Sequence, residues 1–239
     1  AANSVMTNFI PEMSILDQAF LWDNAKQAHA AVDGPIGELI QAKANKLGLH
    51  VVGYMESGFR NVFSAKPISE MEHFKGVKIR TMQNNYHMAA FSAFGAMPVA
   101  MAAGEQFTAL QQGTINAAEN AIANCWNNGF YEVVKNITYT NHAFVYILLC
   151  MSDNAWNKIP ADLREPFLAA VKRGCDAERQ YLVDANEEAT VKLKGVGVVF
   201  HKIDNNVLKA AYQKAAAAKG WKFDPAWQAA VDKVLATVK

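Results

Sequence analysis

Apolar residues recur along this chain at two periods, and segments of the two kinds alternate. From Asp23 to Lys46, apolar positions including Ala28, Val32, Ile36, Leu39 and Ile40 fall at helical spacing. Pro35 lies inside that span and predicts two helices in place of one, because its ring clashes with the preceding turn. Leu47-Gly48 closes the second helix, Gly being suited to the reversal of backbone hand at a helix C-terminus. His50 to Met55, rich in Val and Tyr, reads as a strand, and Val77 to Arg80 as a short strand after the Lys75-Gly76 turn. Asn85 to Phe94 is helical and stops at Gly95, and Met97 to Met101 is again a strand. Glu105 to Gln112 is a helix ended by Gly113, and Thr114 to Ala118 is a strand. A buried strand is expected from His142 to Met151. The pattern is then helical from Ala161 to Lys194, with Leu163, Phe167, Val171, Cys175, Leu182 and Val191 as candidates for its buried stripe. Val196 to His201 is a further strand, and Asn206 to Lys239 reads as two helices separated near Gly220.

Strands and helices in alternation predict an α/β class with a parallel, doubly wound sheet. A helix of about 30 residues is about 45 Å long, which exceeds one small lobe and implies a helix running along two. The 239 residues suffice for one large domain or two small lobes. Charge changes the picture only by exclusion. Lys and Arg number 23 against 22 Asp and Glu, so the basic excess of a nucleic-acid binder is lacking. The longest apolar run, Ala143 to Met151, is far short of the roughly 20 residues of a membrane span. Cys125, Cys150 and Cys175 form no CxxC pair and read as three buried thiols.

The chain carries no HExxH, P-loop, GxGxxG or GxSxG motif, and nothing points to a metal or another cofactor. Cys125 with His142 is the one conceivable nucleophile pair, and such pairs are defined by geometry that spacing does not supply. What remains is a set suited to an anion. Arg80 ends a predicted strand, Arg60 follows another, and Asn120 lies just past the strand Thr114–Ala118. Ligands of open α/β sheets bind outside the carboxyl ends of strands, and a guanidinium there can grip a carboxylate with two parallel bonds. The competing reading is structural, since an Arg ending a strand is commonly a solvated or ion-paired residue.

Several stretches settle which reading to prefer. Lys75-Gly76-Val77-Lys78-Ile79-Arg80-Thr81, Phe94-Gly95-Ala96-Met97-Pro98, Glu105 through Gly113, Glu119-Asn120, Phe130 through Lys135 and Tyr139 through His142 resemble, in order and spacing, the DctP-type solute-binding proteins of TRAP transporters. Phe9-Ile10-Pro11-Glu12 and Gly58-Phe59-Arg60-Asn61 resemble them too. The resemblance implies a periplasmic protein of two α/β lobes joined by a long helix and closing on a ligand. It implies Arg80 as the carboxylate anchor, with Arg60 and Asn120 in the same pocket. Gln83 and Asn84 are candidate polar contacts just after Arg80, and Trp126 is a candidate cleft wall.

The sequence departs from that family at Ala103-Gly104-Glu105, where an aromatic residue is missing, at Ala100 in place of a second Pro, and at Asn116-Ala117 in place of Asp-Gly. If that Gly needs a positive φ, Ala117 is strained. The family pattern also has strands ahead of this start, so the first lobe is expected to be incomplete, with Asn3 and Ser4 lining an open cleft. The expected division is residues 1–57 and 146–185 in one lobe, and 58–145 and 186–239 in the other. The expected role is capture of a small organic acid for a TRAP membrane permease, by a monomer and without catalysis. Two alternatives stay open: an α/β enzyme on an acid with Glu119 or His142 as general base, and a ligand sensor that moves no solute.

Overall fold

The computed structural model describes residues 1–239 and is α/β throughout. It opens with a short helix α1 (Asn3–Met6) and a 3-10 segment (Pro11–Asp17), then α2 (Ala25–Val32) and α3 (Pro35–Lys46). Pro35 separates α2 from α3 as expected and sits in the first turn of α3, where its missing N–H is no loss. Asn24 caps α2 by accepting from the Gln27 N–H. Two long strands, β1 (Leu49–Phe59) and β7 (Phe144–Ser152), pair antiparallel as a ribbon. Helices α2 and α3 and the 3-10 segment cover it, with Ile15, Ile36, Ile40, Phe144 and Tyr146 at the centre of this first core.

The second lobe is built on six strands: β2 (Asn61–Ser64), β3 (Lys78–Thr81), β4 (Met97–Ala100), β5 (Ala117–Asn120), β6 (Asn136–Tyr139) and β8 (Val199–Lys202). Their order is β4-β3-β5-β2-β6-β8. The sheet is mixed, where a parallel one was expected. β2 runs antiparallel to both β5 and β6, while β3 is parallel to β4 and β5, and β6 to β8. The reason is connectivity. β2 is the direct continuation of β1 into the second lobe, so it enters the sheet from the opposite end. On one face lie α4 (Asn85–Ala93) and α9 (Asn205–Lys219), around Phe74, Phe91 and Leu208. On the other lie α5 (Gln106–Gln111), α6 (Ile122–Asn127) and the end of α8, around Phe63, Phe130 and Leu193.

Helix α8 (Ala161–Gly195) follows α7 (Asp153–Asn157), packs on β1 and α6 in turn, and so spans both lobes. At the first crossing, Gly53 lies so close that a Cβ there would meet Cys175 Sγ and Val171 Cγ1, each at 2.8 Å. The expected buried stripe is mostly open. Only Cys175, Ala189 and Leu193 are buried, and Leu163 and Val191 are exposed, because α8 touches its partners along a narrow line. The last helix, α10 (Pro225–Thr237), also departs from expectation. Trp227, Ala230, Val231 and Val234 form a helical stripe that fills the first core, so this helix leaves the second lobe to which residues 186–239 were assigned. No helix is long and apolar enough to cross a membrane.

The lobes meet along a buried polar seam. The Asp17 carboxyl, at the end of the 3-10 segment, accepts from Asn3 Nδ2 at 2.8 Å and from Asn84 Nδ2 at 2.6 Å. Asn84 is the N-cap of α4 in the other lobe. Burial pushes the Asp17 carboxyl up to about 7, against the lowering effect of Asn84, Ser4 and Asn3. An unfolded chain ionises this group near 3.8, whereas the fold keeps its proton until about 7. Stability from Asp17 is therefore complete at low pH and lost as pH rises from about 4 to about 7.

Two predictions follow from this packing. Across that pH window the stability difference between Asp17→Asn and the native protein should move in the variant's favour, then level off. Urea unfolding at several pH values measures it, and a difference independent of pH would contradict the assignment. Gly37 in α3 crosses α2 so closely that a Cβ would lie 2.0 Å from the Val32 carbonyl oxygen, a backbone atom that cannot swing aside. Gly37→Ala should cost about 1–3 kcal/mol by overpacking, read as a lower denaturation midpoint.

Candidate functional site

Two buried guanidinium groups come together where β3 and β5 end and where β1 passes into β2. Their situations are opposite. Arg60 is the residue between β1 and β2, and its backbone N–H bonds the Ala143 carbonyl on the return crossing at 2.9 Å. Its side chain is 3% exposed and every nitrogen is engaged. Nε and Nη2 hold the Glu119 carboxylate, Nη2 also reaches the Glu119 carbonyl at 2.6 Å, and Nη1 donates to Asn120 Oδ1 at 3.0 Å. Glu119 is fully buried, and His142 Nε2 stands 3.2 Å from its Oε2, the oxygen that Arg60 Nε also reaches. Burial alone would raise the Glu119 carboxyl, but the Arg60 charge and the bonds from His142 and Arg60 hold it well below the usual range.

Arg80, at the carboxyl end of β3, is 4% exposed and has no carboxylate partner. Nε and Nη2 both donate to one acceptor, the Met101 carbonyl, at 2.9 and 2.6 Å. Nη1 makes no hydrogen bond within the chain. Burial lowers the Arg80 pKa, with Glu119 opposing and Arg60 reinforcing the shift. A guanidinium remains charged in any protein environment, so Arg80 is a buried cation short of an anion.

Asn120 ends β5 and is itself part of the strand, which runs Ala117–Asn120. Its Oδ1 accepts from Arg60 Nη1, from the Ala121 N–H and from Asn124 Nδ2. Three donors fix the amide orientation, so Nδ2 faces away from them with no partner in the chain. Arg80, Arg60 and Asn120 thus gather at one sheet end. Gln83 lies three residues past Arg80 with its side chain exposed and makes no hydrogen bond.

Two expected residues lie elsewhere. Trp126 stacks on Tyr131 with ring centroids 4.7 Å apart, and Lys192 of α8 covers it at 5.5 Å, so it packs the outside of the second lobe. Asn3 is fully buried with both amide ends engaged, by Asp17 and by the Tyr146 N–H, and Ser4 is buried beside it. They form part of the seam and do not line an open cleft. Ala117 carries no positive φ and pairs in register with Ser64 and Ile79, so the strain expected there is absent.

Glu119 as the partner of Arg60 was not anticipated from the sequence. The signal was present, because an acid flanked by Ala117 and Ala118 in a central strand must be paired to be buried. His87, in the first turn of α4, was also passed over. Its ring is buried with neither nitrogen bonded, and burial first of all lowers it to about 3, so it is neutral. As a catalytic set the site is poorly endowed. Glu119 is a clamped, weakly basic carboxylate, and burial pushes the Cys125 thiol up to about 12.

The sequence pattern of the DctP family, described as bacterial extracellular solute-binding protein family 7, matches residues 1–222. A solute-binding protein of Verminephrobacter eiseniae is 33% identical over 94% of this chain and 66% of its own length. The 2,3-diketo-L-gulonate-binding periplasmic protein of Escherichia coli is 30% identical over 79% of this chain and 58% of its own. The chain therefore spans less than two thirds of these relatives. The crystal structure of a TRAP periplasmic solute-binding protein from Polaromonas, bound to D-erythronate, superposes with a TM-score of 0.91 at 30% identity, over 100% of this chain and 78% of that one. The two-lobe fold and the periplasmic location expected from the sequence agree with these relatives. The chain belongs to the DctP family of bacterial extracellular solute-binding proteins.

Proposed function

We propose that this protein captures a small organic acid at Arg80 and presents it, as a monomer, to a TRAP-type membrane permease. The observation behind this reading is the state of Arg80: buried, charged, and bonded only to one backbone carbonyl. A carboxylate supplies what the group lacks, accepting from the unused Nη1 and sharing Nη2. Asn120 Nδ2 is a neutral donor for a hydroxyl or a second oxygen of the same ligand. The relative named for binding 2,3-diketo-L-gulonate and the solved relative bound to D-erythronate support an oxygen-rich acid. Closure of the lobes removes water from the contact and strengthens it relative to bulk solvent. The ligand thereby favours the closed state, which is the form a permease distinguishes. Catalysis has no comparable support, since Glu119 is held by Arg60 and His142 and is no free base. A purely sensory role would use the same contact and is separated by ligand uptake that depends on the permease.

The two arginines should respond oppositely to removal. Arg80→Met should cost a hundredfold or more in affinity for D-erythronate by calorimetry, with charge-assisted bonds at about 1.5–3 kcal/mol each. The ligand-free variant should be as stable as the native protein or more so, because a buried unpaired charge has gone. Arg60→Met instead strands the Glu119 carboxylate and should cost about 3–5 kcal/mol of stability. Unchanged binding by Arg80→Met would remove the basis of the assignment.

A further inference from the structure

We propose that the second lobe carries an oxyanion site at the end of its sheet opposite Arg80, a cavity of about 340 Å3 among Lys66, His73, Lys75 and Asn116 that takes a phosphate group, free or on a lipid. The proposal does not depend on the contact at Arg80.

Topology keeps the two places apart. Arg80 lies near the carboxyl end of β3, and Lys75 to Val77 lead into that strand. Asn120 ends β5, and Asn116 precedes it. β2 runs antiparallel to β5, so Arg60 precedes it at the Arg80 end and Ser64 closes it at the other. The cavity lies at that other end, where the loop 64–68 meets the turn from His73 to Val77 and Asn116. Both places can be filled at once.

The acceptors of the loop are spent inside the fold. Ser64 Oγ donates to the Lys66 carbonyl at 2.7 Å, and Thr138 Oγ1 of β6 to the Ile68 carbonyl at 2.6 Å. Asn136 Nδ2 donates to the Ser64 and Ala65 carbonyls at 3.4 and 3.1 Å. The Ala65 N–H bonds the Asn116 carbonyl at 2.9 Å, and the Ile68 side chain is buried in the core. These contacts hold the loop in one conformation, which lowers the ordering cost of binding.

The donors are not spent. Neither the Lys66 nor the Lys75 ammonium forms an ion pair. No acid lines the cavity, and Glu70 and Glu72, close by in sequence, lie outside its lining. His73 Nδ1 accepts from the Ser69 N–H at 3.2 Å, which leaves Nε2 as the ring's donor. Asn116 Oδ1 accepts from the Lys78 N–H at 3.2 Å, which leaves Nδ2 without a partner. The N–H groups of Lys66 and Ile68 donate to nothing in the chain. Donors from three segments suit an oxyanion whose oxygens lie in more than one plane. Two ammonium groups balance the charge of about −1.5 to −2 on a phosphate monoester near neutral pH. Lysine serves here as a point charge, whereas the planar fork of Arg80 matches a carboxylate.

The test titrates the whole chain with inorganic phosphate and follows backbone amide shifts by NMR. Beside it, the protein is sedimented with vesicles of phosphatidylglycerol or of phosphatidylcholine. Shifts should saturate and concentrate at residues 64–68 and 73–77. Lys66→Gln with Lys75→Gln should weaken phosphate binding at least about tenfold with the denaturation midpoint unchanged. Lys46→Gln with Lys233→Gln removes the same charge from exposed positions of α3 and α10 and should leave phosphate binding native. Capture by phosphatidylglycerol vesicles that is lost in the cavity variant would identify a lipid headgroup as the source. Phosphate binding without capture would identify a soluble ion. Absence of both, shifts scattered over the surface, or equal binding by the two double variants would overturn the site.

Discussion

The ion pair of Arg60 with Glu119 is the contact on which the architecture of the site depends. Arg60 stands between β1 and β2, where the chain first passes from one lobe to the other. Glu119 lies in β5, the neighbour of β2 in the six-stranded sheet. Their pairing therefore fixes the crossing to the sheet end. It also orients two other groups. Arg60 Nη1 donates to the Asn120 oxygen, which turns the amide nitrogen outward, and His142 on the return crossing shares the Glu119 Oε2 with Arg60 Nε. A buried pair of this kind adds little net stability over a well-packed apolar replacement. Its effect here is geometric, because each partner, once buried, permits few other arrangements.

That corner also ties together the two strands that cross between the lobes. The outgoing strand passes through Phe59, Arg60 and Asn61, and the returning one through Thr140 to Ala143. They are tied to each other by the Arg60 N–H on Ala143 and by Asn61 Oδ1, which accepts from the Thr140 and Asn141 N–H groups. Phe20 and Asn141, the two residues outside glycine with positive φ, flank this point, and the Phe20 N–H bonds the His142 carbonyl. Backbone held in a sparsely populated region persists where its surroundings over-determine it. The two crossings are thus linked to one another by backbone and side-chain hydrogen bonds. The Asp17–Asn84 contact joins groups from opposite lobes a second time.

The sequence made most of this fold legible, and the gaps have physical causes. Helices with long apolar periods and explicit stops, such as the pair divided at Pro35 and the one ended at Gly95, appear where periodicity placed them. Strands β2 and β6 were missed: β2 follows β1 with only Arg60 between them, so the two read as one stretch, and β6 is a four-residue strand. The mixed sheet could not be read because strand direction depends on which lobe the chain has come from, a long-range property. Among site residues, Arg80, Arg60 and Asn120 were recognisable as polar groups at strand ends. Trp126 was misplaced because an aromatic close in sequence to Asn120 lies on the outer side of α6, where Tyr131 and Lys192 cover it. Asn3 was misplaced because its amide is consumed by Asp17, which no local pattern connects to it.

Arg80 and Arg60 show how one residue type serves two ends in one corner. Burying a guanidinium is unfavourable unless it is paired, and Arg60 meets that condition within the chain. Arg80 meets it only in part, since a neutral carbonyl offsets less than a carboxylate does. The shortfall is a free-energy difference held in the ligand-free protein, which under the proposed function a bound carboxylate would relieve. It therefore appears as affinity and not as stability. Supplying Arg80 with an internal acid would make a sturdier protein with nothing to bind. The Arg60 charge is already met by Glu119, so Arg80 is the cation of this corner that lacks an acid, with the unpartnered Asn120 Nδ2 beside it.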